Sequence, residues 1–117
     1  MRNSFKGTVF GIVSTLGLVS CVFAANPEVA QKIKAGALIV DVRSAEEVAE
    51  GMYPGAQHIP VDQVEKRMAE FGAKDKPIVL YCKSGRRAGL AMETLKSKGY
   101  TNVTNAGGLS DMPQRQK

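Results

Sequence analysis

The chain has 117 residues, with 16 Lys+Arg against 11 Asp+Glu and a formal net charge of +5. Hydrophobic residues make up 44% and charged residues 23%, the balance of a single soluble globular domain. Length and balance together exclude wholesale disorder, a collagen-like fibre, a disulfide-dense mini-scaffold, a multi-domain enzyme and a polytopic membrane protein.

Arg2 and Lys6 form a basic start, Gly7 to Ser20 carries no charge, and the small-residue pattern Val22-Phe23-Ala24 follows. This is the layout of a secretory signal peptide over residues 1–24, and it points to export to the periplasm. The apolar run falls short of the ~20 residues that a bilayer span needs, so no integral span is expected in the mature form. Two exits are open. Cleavage after Ala24 releases a chain starting at Ala25, whereas Leu18-Val19-Ser20-Cys21 resembles the bacterial lipobox, in which Cys21 would carry a lipid anchor. Arg2 and Lys6 are the only charges before Ala25, so cleavage there takes the net charge from +5 to +3. A mildly basic domain suits small anionic substrates. It has no Trp and no basic stripe interleaved with aromatics, so nucleic acid is not an expected partner. After that cleavage Cys82 is the one remaining cysteine, a free thiol or an intermolecular partner.

Residues 25–37 read as an N-terminal helix region. Asn26 is a cap, Pro27 stands in the first turn, Glu28 lies near the positive dipole end, and Gly36 stops the helix. Ala37-Leu38-Ile39-Val40 is a continuous apolar run, as in a strand buried on both faces. After Asp41-Val42-Arg43, Ser44 caps a helix with Glu46 and Glu47 in its first turn. Gly51 to Gly55 is a loop, and Ala56 to Pro60 is a short edge strand. Val61, Val64, Met68 and Phe71 recur at helical spacing and predict a helix over 61–71 whose apolar stripe is core. Pro77 to Tyr81 is the second apolar strand. Ala88, Ala91, Met92 and Leu95 mark the next helix, which Gly99 ends. Tyr100 to Thr104 predicts a third strand, residues 105–109 a turn, and residues 113–117 a polar tail. Strands alternating with helices predict an α/β fold with a mostly parallel central sheet flanked by helices. Ligands of such sheets bind beyond the carboxyl ends of the strands, where Cys82 and the Asp41–Arg43 segment both fall.

The order at Cys82 is apolar strand, Cys, short polar loop with Gly, then helix. Backbone N–H groups of residues 83–87 can curl around the sulfur, and the helix N-terminus adds partial positive charge. Lys83, Arg86 and Arg87 add full charges, Ser84 a hydroxyl donor, and Gly85 the conformational freedom of a tight loop. All of these favour thiolate, so Cys82 should be more acidic than an unperturbed thiol at ~8.5. A Cys-based phosphatase loop needs Arg six places after its Cys, and that place is Ala88. The cradle is therefore too short for a phosphate clamp of that type.

Cys82 to Arg87 resembles the six-residue active-site loop of the rhodanese family. Asp41-Val42-Arg43 with Glu47 resembles that family's first signature, and residues 53–60 (YPGAQHIP) its PGAxxIP segment. Gly99-Tyr100 through Gly107-Gly108-Leu109 resembles its closing signature. The match runs from Leu38 to Met112, so residues 38–112 are read as a single rhodanese-like domain. Met52 stands where the family often has His, and the closing Gly-Gly lacks the Trp that often follows it.

The resemblance implies a thiosulfate sulfurtransferase without metal or organic cofactor. Cys82 would be the nucleophile, taking a sulfur from thiosulfate, a small anionic donor, and passing it to cyanide or another thiophilic acceptor. Lys83, Ser84, Gly85, Arg86 and Arg87 would bind the substrate. The alternative is a persulfide carrier or redox-sensing module working with a protein partner. Asp41 and Arg43 either line the site or form a structural ion pair, Arg43 with Glu47 or Asp41. His58, the sole histidine, reads as structural, and one His with one Cys does not make a metal site. A monomer is expected.

Overall fold

The computed structural model describes residues 26–114. The expected export segment 1–24, with both of its exits, lies outside the described residues.

Asn26 caps helix α1 (Pro27–Lys34) as its sequence position predicts, its side-chain oxygen accepting from the Glu28 N–H at 2.9 Å. Gly36, at φ 95°, turns the chain into strand β1 (Leu38–Asp41). Helix α2 (Ala45–Ala49) starts in a capping box: the Glu47 N–H donates to Ser44 Oγ at 3.3 Å, and the Ser44 N–H to Glu47 Oε1 at 3.0 Å. Strand β2 (Gln57–His58) is the short edge strand. Strand β3 (Ile78–Cys82) is buried along its whole length, and helix α3 (Arg86–Ser97) follows it after three residues. Strand β4 (Val103–Gly108) completes a parallel sheet of order β2-β1-β3-β4.

The continuous apolar runs are explained by the two faces of this sheet. Ile78, Leu80 and Cys82 of β3 pack with Val40, Val42, Phe71, Ala88, Ala91 and Leu95 on one side. Val79 and Tyr81 pack with Val29, Ile39, Tyr53 and Met112 on the other. Each fully buried Val, Leu or Ile contributes about 1.5–3 kcal/mol, so the central strands anchor the site from both faces.

Three elements differ from the expectation. Residues 61–71 are not one α-helix but two 3₁₀ turns, Val61–Gln63 and Met68–Phe71, joined by irregular turns. Arg67, at φ −107° and ψ 29°, leaves helical geometry between them. The Tyr100 hydroxyl lies 3.4 Å from the Met68 carbonyl and 3.2 Å from that of Gly72, drawing both toward a tertiary donor. The apolar spacing still places Val64 and Phe71 in the core, because the steps of three from Val61 to Val64 and from Met68 to Phe71 keep side chains on one side of a 3₁₀ turn.

The third strand runs over Val103–Gly108 rather than 100–104. The Tyr100 N–H bonds back to Leu95 and the Thr101 N–H to Lys74, so these two residues spend their backbone on neighbouring turns, and Asn102 is the first to meet β3, its carbonyl accepting from the Ile78 N–H. The expected turn at 105–109 is instead mostly strand with an irregularity. Leu80 pairs with Asn105 but Cys82 with Gly108, which leaves one extra residue on β4. Gly107, at φ 94°, absorbs it.

Candidate active site

Cys82 ends the central strand and is fully buried. The Gly85 N–H donates to its sulfur at 3.0 Å. Burial pushes the thiol up, but the N–H groups of Ala88, Gly85, Ser84 and Arg87 converge on the sulfur and hold it below its ordinary value. The ring closes because Gly85 takes φ 95°, which an L side chain rarely adopts, and then serves as the N-terminal cap of α3.

The far side of the loop rests on β4. Asn105 Nδ2 donates to the Gly85 carbonyl at 2.9 Å, and Asn105 Oδ1 accepts from the Gly107 N–H at 2.9 Å. Gly108 lies so close beneath the loop that a Cβ there would overlap the Lys83 carbonyl oxygen. Its own N–H donates to Asp111 Oδ2 at 2.8 Å. The strand irregularity thus brings a bare backbone and one amide side chain against the cysteine loop.

The three basic residues of the loop divide into two kinds. Lys83 and Arg86 are exposed, and neither forms an ion pair among the described residues. Arg87 is half-buried and forked onto Glu47 of α2, Nη1 to Oε1 at 2.6 Å and Nη2 to Oε2 at 3.0 Å. The Arg87 pKa is raised, first by its bond to Glu47 and further by the nearby Cys82 sulfur. Arg87 first, and then the Ser44 N–H, holds the Glu47 carboxyl far below the usual carboxylate range. Beside the loop lies a cleft of about 340 Å³ lined by Arg43, Glu47, Glu50, Lys83, Leu109 and Ser110.

Asp41 and Arg43 form a buried unit. Arg43 donates to Asp41 Oδ2 from Nη2 at 2.7 Å, its Nε lies 3.0 Å from both carboxylate oxygens, and its N–H reaches Oδ1 at 2.9 Å. The Tyr81 hydroxyl donates to Asp41 Oδ2 at 2.6 Å and accepts from the Tyr53 N–H at 2.8 Å. Arg43 Nη2 also donates to the Gly51 carbonyl at 2.7 Å, so the unit fixes the loop over residues 51–53. Burial raises the Asp41 pKa, but the bonds from Arg43 and Tyr81 outweigh it and leave the carboxyl below its ordinary value. The Tyr81 phenol is pushed well up, by burial first and then by its bond to Asp41. His58 Nε2 sits 2.8 Å from the Arg43 carbonyl oxygen, outside the cysteine loop.

The description of the rhodanese-like domain family matches residues 25–112. The chain belongs to this family. It is 40% identical over 74 residues to the thiosulfate sulfurtransferase PspE of Escherichia coli, a match covering 62% of this chain and 71% of that one. It is 35% identical over 96 residues to a Homo sapiens thiosulfate:glutathione sulfurtransferase, covering 70% of this chain and 84% of that one. A solved structure described as a rhodanese with anions, from E. coli, superposes with a TM-score of 0.63 at 38% identity, covering 70% of this chain and all of that one.

In this rhodanese-like domain the expected site residues separate by place. Cys82, Lys83, Ser84, Gly85, Arg86 and Arg87 form one loop at the carboxyl end of β3. Arg43 pairs with Asp41 rather than with Glu47, and it reaches the site only as part of the cleft wall. Sequence reasoning missed Asn105 and Gly108 as supports of the loop, and Glu47 as the partner of Arg87. For Gly108 a signal was present, because a Gly-Gly pair inside a strand often marks a close backbone approach. For Asn105 and Glu47 there was none, since each partner lies 20 or 40 residues away.

Proposed function

We propose that this domain is a thiosulfate sulfurtransferase working through a persulfide on Cys82. The observation that carries the proposal is the ring of backbone N–H groups around the sulfur of a cysteine at the end of the central strand. The Cys82 thiolate attacks the outer sulfur of thiosulfate. An S–S bond forms to Cys82, and the bond between the two thiosulfate sulfurs breaks, its electron pair leaving with sulfite. Cyanide or a thiolate acceptor then attacks the terminal sulfur, giving thiocyanate or an acceptor persulfide and returning the Cys82 thiolate. The loop N–H groups stabilise the negative sulfur at both stages, as an oxyanion hole stabilises oxygen.

Lys83 and Arg86 attract and hold the anionic end of the donor, with Ser84 and Gly85 at the loop's centre. Arg87 serves as the counter-ion of the sulfur. Cys82 has no exposed surface, so the loop region must open for the donor to reach the sulfur. The names of the relatives, among them a thiosulfate sulfurtransferase and a thiosulfate:glutathione sulfurtransferase, support the choice of donor and of a thiol acceptor. The proposal includes export as a monomer, on the basic-apolar-small pattern of residues 1–24; the N-terminal residue of the mature protein checks it, Ala25 or a lipid-bearing Cys21.

The test is intact-mass spectrometry of the purified domain after thiosulfate, without reductant, beside Cys82→Ser. A gain of one sulfur mass, absent in the variant and removed by cyanide with thiocyanate formed, is expected. No adduct on a free, reactive Cys82 would exclude thiosulfate as donor and turn the search to a protein that delivers the sulfur.

A further inference from the structure

Helix α2 has only five residues and buries none of them fully. A helix of that length has no independent stability, so something other than core packing must set its position over the cysteine loop. Among the described residues, the α2 side chain hydrogen-bonded to the loop is Glu47. Oε1 accepts from the Ser44 N–H and hydroxyl, both at 3.0 Å, and from Arg87 Nη1, while Oε2 accepts from Arg87 Nη2. The carboxylate is therefore fixed from the α2 side and presents a rigid two-oxygen edge to the guanidinium. Arg87 in turn is the second residue of α3, where a positive charge opposes the helix dipole. Without a carboxylate partner its favoured position would be in solvent, away from the sulfur.

We propose that Glu47 is a positioning residue: it holds the Arg87 guanidinium against the Cys82 sulfur, making Arg87 the fixed counter-ion of the thiolate rather than a mobile ligand for the substrate. The other charges around the loop are Lys83 and Arg86 on the loop itself, Arg43 after β1, Glu50 just after α2 and Asp111 after β4. None of these is hydrogen-bonded to Arg87 among the described residues, so the link from Glu47 to the sulfur runs through Arg87 alone. The inference concerns the state of the thiol, and its test needs no sulfur donor. Its failure is thus distinct from a failure of thiosulfate as substrate.

The experiment is the pH dependence of Cys82 alkylation by iodoacetamide in the whole domain. The midpoint reports the thiolate, and the plateau reports access to the buried sulfur. Glu47→Gln keeps the size and a cap acceptor, but it sets an amide NH₂ against an Arg87 N–H and removes the charge. The midpoint is expected to rise, with roughly a three- to tenfold slower alkylation at pH values below it, equivalent to about half to one pH unit. Arg87→Met should raise it by a similar amount. Adding Glu47→Gln to Arg87→Met should then raise it no further. A midpoint unchanged or lowered in Glu47→Gln would overturn the proposal, the lowered value marking Glu47 as a plain opposing charge. A shift that persists in the Arg87→Met background would also overturn it, because Glu47 would then act without Arg87. Should Glu47→Gln fail to fold, as read by its thermal transition, Arg87→Lys probes the same link. It keeps the charge and loses the fork, and a midpoint equal to that of the unaltered domain would refute the positioning role.

Discussion

Substituting Asn for Asp41 tests whether the buried pair at the end of β1 ties the fold together. In the native domain Asp41 is fully buried and all its bonds are accepted ones, from the Arg43 backbone and guanidinium and from Tyr81. An amide in its place must point its NH₂ either at the Arg43 N–H groups or at the Tyr81 hydroxyl and Arg43 Nη2, so donor meets donor in both orientations. The Arg43 side chain, only 9% exposed, loses its counter-charge as well. Breaking a buried pair from one side costs about 3–5 kcal/mol. Arg43 also borders the open cleft and can rotate toward water, so about 3 kcal/mol is expected. That is a large share of the roughly 5–15 kcal/mol that holds a domain folded. The assay is urea unfolding, with a midpoint lower by about 1–3 M at unchanged slope. Tyr81→Phe, which keeps the ring over Arg43 and removes only the hydroxyl, should cost about 1–2 kcal/mol. The Asp41 carboxyl is lowered in the folded state, so its contribution is present above the unfolded value of ~3.9 and is lost as pH falls through the folded value. Acid unfolding below that pH should therefore be blunted in Asp41→Asn. A loss under about 1 kcal/mol, or an identical acid limb, would refute the assigned role of the pair.

Gly108→Ala should displace the cysteine loop, because the new Cβ meets the Lys83 backbone rather than a side chain that can turn away. About 2–3 kcal/mol of destabilisation and a loss of Cys82 alkylation are expected, read by thermal melting and mass spectrometry. Gly89→Ala, in the interior of α3, should do the reverse, since its Cβ would lie 3.5 Å from Asn105 Nδ2, an ordinary contact. A gain of about 0.5–1 kcal/mol is expected, measured as a rise in Tm of roughly 3–6 °C. The lowered Cys82 thiol means that the unfolded chain binds the extra proton between the folded value and ~8.5, so stability should climb with pH across that window. Urea midpoints measured against pH should show that climb, and Cys82→Ser should lack it.

How much was legible depends on how far apart the interacting groups lie in the chain. The cap at Asn26, the capping box from Ser44 to Glu47, and the strand-loop-helix order at Cys82 each involve neighbours within about one turn. For these, residue type and spacing were enough. The helix expected over 61–71 failed because its apolar spacing fits a 3₁₀ turn as well as an α-helix, and the Tyr100 hydroxyl, from the other end of the domain, reaches the carbonyls of Met68 and Gly72. The turn expected at 105–109 failed because two glycines read as a reversal also suit a strand that carries one extra residue.

The sequence by itself determined the alternation of strand and helix, the apolar strands buried on both faces, and the loop that wraps N–H groups around Cys82. Those features rest on backbone geometry and hydrophobic periodicity, which act locally. Only the tertiary structure decided that Arg87 would find Glu47, 40 residues away, leaving Arg43 to Asp41. It also decided that Asn105 and Gly108 would carry the loop from beneath. These choices depend on which elements the sheet order brings side by side. A charge in the sequence states what kind of partner it needs, and the packing of distant segments determines which partner it meets.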